Sequence, residues 1–217
     1  MKKMKLNFFL LLICGFLAFS CDKDNSFERP VFTLEKGDYI SEVEYEIYSF
    51  VINEQNYSNS KIVIEQETSK AKFATLDELL EIFAKYRYYP HNNMPDNNMI
   101  NSFYSLNDTN YNLEEKFNIV DKQAILISSA EVQYMFSGSD YKSNWQKFFN
   151  TYQNSFGLIK FSRIVFNDNF TEAILEFDET GYYGGTLHLI YLNKENNSWI
   201  IKWEELIIGD VFPDGFD

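Results

Sequence analysis

The last third of the chain alternates apolar and polar residues in four short segments, and this pattern constrains the fold more than any other feature. Ala173, Leu175 and Phe177 alternate with Glu172 and Glu176, and short polar turns (NDN, ETGYYGG and NKENNS) separate the segments. Such alternation is typical of antiparallel strands that have one buried face and one solvent-exposed face. The sequence therefore predicts an antiparallel meander with strands at 161–166, 171–178, 186–192 and 199–206.

The chain before the meander carries mainly helical patterns. Residues 39–54 are ambiguous, because Ile40, Val43 and Ile47 recur at helical spacing while Val43, Tyr45 and Ile47 also alternate with glutamates. Length favours a helix, since strands rarely exceed ten residues. Thr75 with Glu78 and Ser128 with Glu131 form capping-box patterns that open two further helices. The complete prediction adds strands at 61–66 and 122–127 and helices at 76–86, 99–104, 129–136 and 140–153.

Helices that come first and strands that come last predict an α+β domain. We expect the N-terminal and central helices to pack on one face of a C-terminal antiparallel meander sheet. About 180 residues follow residue 38, a length that suits one domain, and no internal repeat is visible. The predicted organisation is a signal peptide at 1–20, a tether at 21–38 and a single globular domain at 39–217.

The N-terminus has the pattern of an export signal. Lys2, Lys3 and Lys5 precede an apolar run, Leu6–Ser20, that is too short to span a bilayer and ends at Cys21. Small residues before that cysteine resemble the lipobox of bacterial lipoproteins. The resemblance implies that the leader is cleaved and that Cys21 carries lipid, which anchors the protein to the outer membrane of the cell envelope. The alternative is a plain secreted protein with a spare cysteine.

The sequence after Cys21 leads to two further predictions. Asp22, Lys23 and Asp24 resemble the acidic signal of surface-exposed lipoproteins, and they fit a solvated tether equally well. No cysteine follows Cys21, so the exported domain has no internal disulfide and depends on its core.

The net charge of the chain after residue 20 limits which classes of partner it can bind. Removal of residues 1–20 takes away three lysines and no acidic residue, which leaves 16 basic and 32 acidic residues and a net charge of −16. Such a surface repels nucleic acid and anionic headgroups, so neither is an expected partner. The acidic surface by itself indicates solubility.

The stretch from Trp145 to Trp203 resembles a group of uncharacterised exported bacterial proteins. In that group an aromatic helix leads into a Ser-Arg-x-x-Phe-Asn strand, then an Ala-rich apolar strand, a glycine-rich hairpin and a Trp-x-Ile strand. The matching residues are Ser162, Arg163, Phe166, Asn167, Ala173, Gly184, Gly185, Trp199 and Ile201. The hairpin cysteines that members often carry are absent. The resemblance implies fold and export and carries no catalytic residues.

The sequence holds no recognised catalytic, metal or cofactor motif. His91 lies in a Pro/Asn-rich loop and His188 lies within a predicted strand, and neither has a second histidine or a thiol at zinc-ligand spacing. Phosphate-binding and dinucleotide-binding glycine motifs are also absent. Paired carboxylates for glycoside hydrolysis exist as candidates, although a solvated acidic face is the simpler interpretation: Glu172, Glu176, Asp178, Glu179, Glu204 and Glu205.

Three residues are candidates for binding. Arg163 is predicted in mid-strand, where its guanidinium either holds an acidic ligand or closes the sheet onto a helix through a structural ion pair. Tyr182 and Tyr183 stand beside two glycines, where they either form an exposed tip that binds a protein or glycan partner or pin the turn. We expect a lipid-anchored envelope protein with a binding or structural role. The alternatives are a metal-independent, carboxylate-based hydrolase of envelope polysaccharide and an inhibitor or immunity-type partner of an exported enzyme.

Overall fold

The computed structural model describes residues 29–71, 76–86 and 94–209. The chain divides into two units, Met1–Val31 and Phe32–Asp217, and the helices and strands of the described residues belong to the second unit. These elements are α1 (Glu42–Glu54), β1 (Lys61–Glu65), α2 (Leu76–Tyr86), α3 (Asn97–Leu106), β2 (Gln123–Ile127), α4 (Ser129–Phe136), α5 (Tyr141–Thr151), β3 (Ser155–Phe161), β4 (Val165–Phe166), β5 (Glu172–Gly181), β6 (Gly184–Glu195) and β7 (Ser198–Gly209).

The strands form one mixed sheet in the order β2-β1-β3-β5-β6-β7, with β4 paired to β5. Strands β5, β6 and β7 are consecutive antiparallel neighbours, as a meander requires. Strand β1 is parallel to both β2 and β3, and these pairings need the long crossovers that the intervening helices supply. The α+β class and the antiparallel C-terminal meander are therefore confirmed.

The helices occupy both faces of the sheet, whereas the sequence predicted them on one face. Helix α1 packs on the face that presents Ile62 and Ile64, whereas Val63 points into the opposite face, which α4 and α5 cover. Helices α2 and α3 cover the remainder of that opposite face, over Ile174 and Leu189. Strand β5 is consequently buried on both sides, and its glutamates at alternate positions do not mark a wet face.

The predicted strand at 161–166 is wrong in its bounds. The structure has β3 from 155 to 161, an irregular segment at 162–164, and only two strand residues in β4. The hydroxyl of Ser162 accepts a hydrogen bond from the backbone N–H of Glu176 at 2.8 Å and replaces a regular ladder contact there. Gly157 obscures the start of β3, because glycine weakens a strand pattern. It is needed because a Cβ would lie 2.2 Å from the carbonyl oxygen of Thr180.

The predicted helices are confirmed, and none of their ends differs from the prediction by more than three residues. Helix α1 begins after Ser41, whose hydroxyl accepts from the backbone N–H of Glu44, and the Glu44 carboxylate accepts from Ser41 N in return. Helix α4 is capped by Ser128, as the sequence predicted, and α5 is capped by Asp140. Thr75, the predicted cap of α2, lies outside the described residues. No helix in the described part of the chain has the length and apolar character needed to cross a membrane.

The predicted signal peptide, Cys21 and the first part of the predicted tether lie outside the described residues. Within the rest of that tether, Gln66 accepts from the backbone N–H of Glu35 at 2.8 Å and donates to the Glu35 carbonyl oxygen at 2.8 Å. The backbone N–H of Asp38 donates to the carbonyl oxygen of Asn112 at 2.8 Å. The chain is thus hydrogen-bonded to the domain from residue 35 onward.

Candidate functional site

Arg163 lies in the irregular segment between β3 and β4, and its guanidinium reaches helix α1. Its Nε donates to Glu44 Oε1 at 2.8 Å, and its second terminal nitrogen donates to Glu44 Oε2 at 3.2 Å. The Tyr111 ring lies 4.4 Å from the guanidinium carbon, at a cation–π distance. Both charged side chains are almost fully buried. Arg163 therefore forms the structural ion pair that closes the sheet onto a helix, and Glu44 occupies the groups that an acidic ligand would need.

The electrostatics of this pair favour the charged state of Arg163. Burial works against the guanidinium charge, but the hydrogen bond and attraction to Glu44 outweigh it and raise the pKa of Arg163. The pair also touches the cap of α1, because the same Glu44 carboxylate accepts from the hydroxyl of Ser41 at 3.0 Å. One carboxylate thus joins the start of α1 to the sheet.

Tyr182 and Tyr183 form the two-residue turn between β5 and β6, and the structure separates their roles. Tyr183 is 99% exposed and projects from the turn, whereas Tyr182 is partly buried and packs beside the ring of Tyr141. The hydroxyl of Tyr141 donates to the carbonyl oxygen of Gly181 at 3.0 Å and secures the turn from α5. Tyr182 therefore pins the hairpin, and Tyr183 is the exposed aromatic tip.

His188 is buried between two of the candidate carboxylates. Its Nδ1 lies 2.7 Å from Glu204 Oε1 and its Nε2 lies 3.6 Å from Glu179 Oε2. Its ring stacks on Phe177 at a centroid distance of 4.1 Å. Tyr57 donates its hydroxyl to Glu179, and Gln55 donates to Glu204 at 3.4 Å. We call Glu179, His188 and Glu204 the histidine cluster.

The histidine cluster is charged at neutral pH. Burial disfavours the imidazolium, but Glu179 and Glu204 outweigh that penalty and raise the pKa of His188 to about 9. The contact with His188 in turn lowers the pKa of Glu204. A general acid for glycoside hydrolysis needs a carboxyl group with a raised pKa, and His188 fills the space between this pair. The arrangement stabilises charge and does not expose an acid–base pair.

The other candidate acids do not join this cluster. Glu172, Glu176, Asp178 and Glu205 alternate with the residues of the α1 face and point to the opposite side of the sheet. Glu176 and Asp178 are buried there, whereas Glu179 and Glu204 lie on the α1 side. The six acids that the sequence offered as candidates are thus divided between the two faces of the sheet.

A concave surface, which the sequence did not predict, runs along helix α1. Its first wall is the segment 114–120, which the helix fastens through three side chains at four-residue spacing. Each accepts a hydrogen bond from a backbone N–H of that segment: Tyr45 Oη from Glu114 at 2.7 Å, Ser49 Oγ from Asn118 at 2.9 Å, and Asn53 Oδ1 from Val120 at 3.0 Å. We call these three contacts the α1 ladder. The polar stripe at i, i+4 and i+8 is the signal in the sequence that could have revealed it.

The second wall is the turn between β6 and β7. Asn196 and Asn197 both have positive φ angles, 50° and 65°, as a two-residue hairpin turn requires. Trp199 anchors the turn, because its side chain is buried in the core beneath α1 and Lys194 lies 5.3 Å from its ring. The turn therefore presents Asn197 and Ser198 from a fixed base.

The surface between these walls, which we call the α1 groove, has a volume of about 610 Å³. That volume lies within the range of ligand sites. Phe50 and Glu46 on α1 lie between the walls, and Lys116 contacts Glu42 at one end at 3.0 Å. The complete lining is Glu42, Tyr45, Glu46, Ser49, Phe50, Asn53, Lys116, Asn118, Asn197, Ser198 and Trp199.

Neither a metal centre nor a known relative points to a function for the domain. Among the described residues, no group of three His, Cys, Asp or Glu side chains is placed to hold a metal ion. His91 lies outside the described residues. No protein-family model matches the chain, and neither the curated proteins nor the solved structures contain a match.

Proposed function

We propose that this chain is a lipid-anchored protein of the bacterial cell envelope whose globular domain binds a ligand or partner. The proposed anchor rests on the basic start, the short apolar run and Cys21 directly after that run. Acylation of that cysteine would hold the domain at the outer membrane, with residues 22–34 as spacer. Several acyl chains give stable anchoring, whereas one chain alone gives only reversible binding.

The single observation that supports a binding role is the α1 groove. Three separate parts of the chain line it, and each is fixed by hydrogen bonds or by a buried tryptophan. A site whose walls are fixed in advance loses little entropy when it binds. By contrast, Arg163 is paired with Glu44, and the histidine cluster is internally paired. A binding role accounts for these features better than hydrolysis does.

The anchor is tested by fractionation. The native protein is expected in the membrane fraction with an acylated N-terminal cysteine detected by mass spectrometry. Cys21→Ala should leave the protein without acyl groups and remove that lipid-dependent retention. An unmodified Cys21 in the native protein would refute the lipid anchor.

The binding role is tested separately by photo-crosslinking in intact cells. A photo-reactive amino acid replaces Asn197 in the groove, and the matched control replaces Lys142, which is exposed on α5 on the other side of the sheet. We expect a discrete crosslinked product from position 197 and none from position 142. Equal labelling at both positions, or none at position 197, would argue against a binding role for the groove.

A further inference from the structure

We infer that the α1 groove binds a neutral saccharide chain. This inference rests on the proposed binding function and names the class of ligand. Four properties of the groove support it: the hydrogen-bonding groups of its rim, its aromatic surface, its charge and its size.

The exposed rim of the groove offers hydrogen-bonding groups suited to hydroxyls. Within the described part of the chain, the side chains of Asn118, Asn197 and Ser198 make no hydrogen bond, and Glu46 makes neither a hydrogen bond nor an ion pair. Amide side chains both donate and accept, and a carboxylate accepts from several donors. Sugar hydroxyls also donate and accept, so this set of groups complements a saccharide on both walls.

The aromatic surface of the groove is modest and central. Phe50 is partly buried and lies between the two walls, while Tyr45 and Trp199 lie deeper. A sugar ring has a face made of C–H groups, which packs against an aromatic side chain while its hydroxyls point sideways to the rim. Phe50 lines the groove together with Asn118 and Asn197, which suits this geometry.

The charge of the groove selects against acidic sugars. Lys116 is the basic residue of the lining, and its ammonium group is held by Glu42 at 3.0 Å and Glu114 at 2.8 Å. Glu46 adds a further negative charge without a cationic partner among the described residues. A uronic acid or a phosphate would be repelled, because like charges at close range disfavour binding. An anionic sugar is therefore not an expected ligand.

The size of the groove favours a small chain molecule over a folded protein. Eleven residues line it, whereas a stable protein interface uses about 20 to 30 residues on each side. A few sugar units would fill it.

The test is calorimetric titration of the acylated full-length protein in detergent micelles. The probes are the uncharged cellohexaose, maltohexaose and hexa-N-acetylchitohexaose, with hexagalacturonate as the charged comparison. We expect at least one neutral hexasaccharide to bind with a dissociation constant below the millimolar range and hexagalacturonate not to bind. Failure of all three neutral probes at millimolar concentration, or equal binding of hexagalacturonate, would overturn the inference.

Five variants locate the binding. Glu46→Ala removes a charge-assisted hydrogen bond and should weaken binding about tenfold, while Glu54→Ala, an exposed glutamate of the same helix outside the groove, should not change it. Ser198→Trp should block the groove, while Lys142→Trp, at an exposed position of α5 on the other side of the sheet, should have no effect. Asn197→Gly keeps the positive φ and removes the amide, and it replaces Ser198→Trp if that variant unfolds.

Binding that survives both Glu46→Ala and the blocking variant would place the sugar elsewhere and overturn the inference. The proposed function fails in a different way. A protein crosslinked through position 197, together with no affinity for neutral hexasaccharides, would leave the binding role standing and replace the saccharide by a protein partner. No crosslink and no sugar binding would remove both.

Discussion

Helix α1 is tied to the sheet through a carboxylate at each end, and the two ties differ in kind. At its start, Glu44 pairs with Arg163. Past its last turn, Gln55 contacts Glu204, which is paired with His188. An arginine remains protonated throughout the pH range of a protein, whereas a histidine loses its charge within it. The ion pair at the start of α1 therefore keeps its cation at all relevant pH values, whereas the ion pair next to the end of α1 loses its cation at high pH.

The largest expected loss of stability comes from removing the ion pair between Arg163 and Glu44. Arg163→Ala leaves the Glu44 carboxylate buried without its guanidinium partner, which should lower the free energy of unfolding by about 3–5 kcal/mol. Arg163→Lys keeps the charge but loses the two-pronged contact, so its loss should be smaller. Urea denaturation at pH 7 measures both. A loss within about 0.5 kcal/mol for Arg163→Ala would mean that the pair does not fasten the helix.

The next effect is the pH dependence of the histidine cluster. The pKa of His188 is raised to about 9 in the folded protein, so the protonated cluster stabilises the fold fully below the unfolded value of 6.5. That stabilisation is lost as the pH rises through about 9, and the difference corresponds to about 3 kcal/mol.

Urea denaturation from pH 6 to pH 10 measures this loss, and His188→Gln is the control. The variant should lack the part of the pH dependence that falls between 6.5 and 9. An identical slope in both proteins would contradict the raised pKa of His188. The contact of Arg163 with Glu44 should persist across the whole range, which sharpens the distinction between the two ties.

A smaller effect tests whether the helix cap shares the tie between Glu44 and Arg163. Ser41→Ala removes the acceptor for Glu44 N and should cost about 1 kcal/mol. Because Ser41 and Arg163 contact the same carboxylate, the double variant with Arg163→Ala should deviate from additivity. Asp140→Ala, which removes the cap of α5, supplies the matched control and should add independently to Arg163→Ala in thermal unfolding.

The smallest expected change in stability is that of a substitution at the exposed Tyr183. Tyr183 is exposed at the tip of its hairpin, so Tyr183→Ala should change the free energy of unfolding by no more than about 0.5 kcal/mol. Tyr182→Ala should cost more, because Tyr182 packs against the cluster that contains Tyr141. If the two variants lost equal free energy of unfolding, Tyr182 and Tyr183 would not have the different roles described above.

Local signals are enough to predict most helices and strands, but not how they pair. Ser128 and Asp140 indicate the helices that follow them, since a cap acts within three residues. The start of strand β3 lacks such a signal, because its glycine is explained only by the approach of Thr180, which is distant in sequence. The parallel pairing of β1 with β2 and β3 likewise depends on contacts that no local pattern encodes.

The candidate site is less predictable than the fold for the same reason. His188, Glu179 and Glu204 are each visible in the sequence, but their grouping depends on the strand register that pairs β5, β6 and β7. The register also explains why Glu176 is not available as a partner for Glu179. In the sequence Asn197 is an ordinary turn residue. Its place in the groove lining depends on Asn118 and its neighbours, which belong to a segment without regular structure.

The α1 ladder of Tyr45, Ser49 and Asn53 has a consequence for how this chain can vary over evolutionary time. A single exchange at Ser49 or Asn53 removes only local hydrogen bonds, which the fold can absorb. A one-residue insertion or deletion between the rungs would instead turn the rest of the helix by about 100° and swing the later rungs away together. Proteins descended from this sequence should therefore keep the length of α1 while its individual residues are substituted.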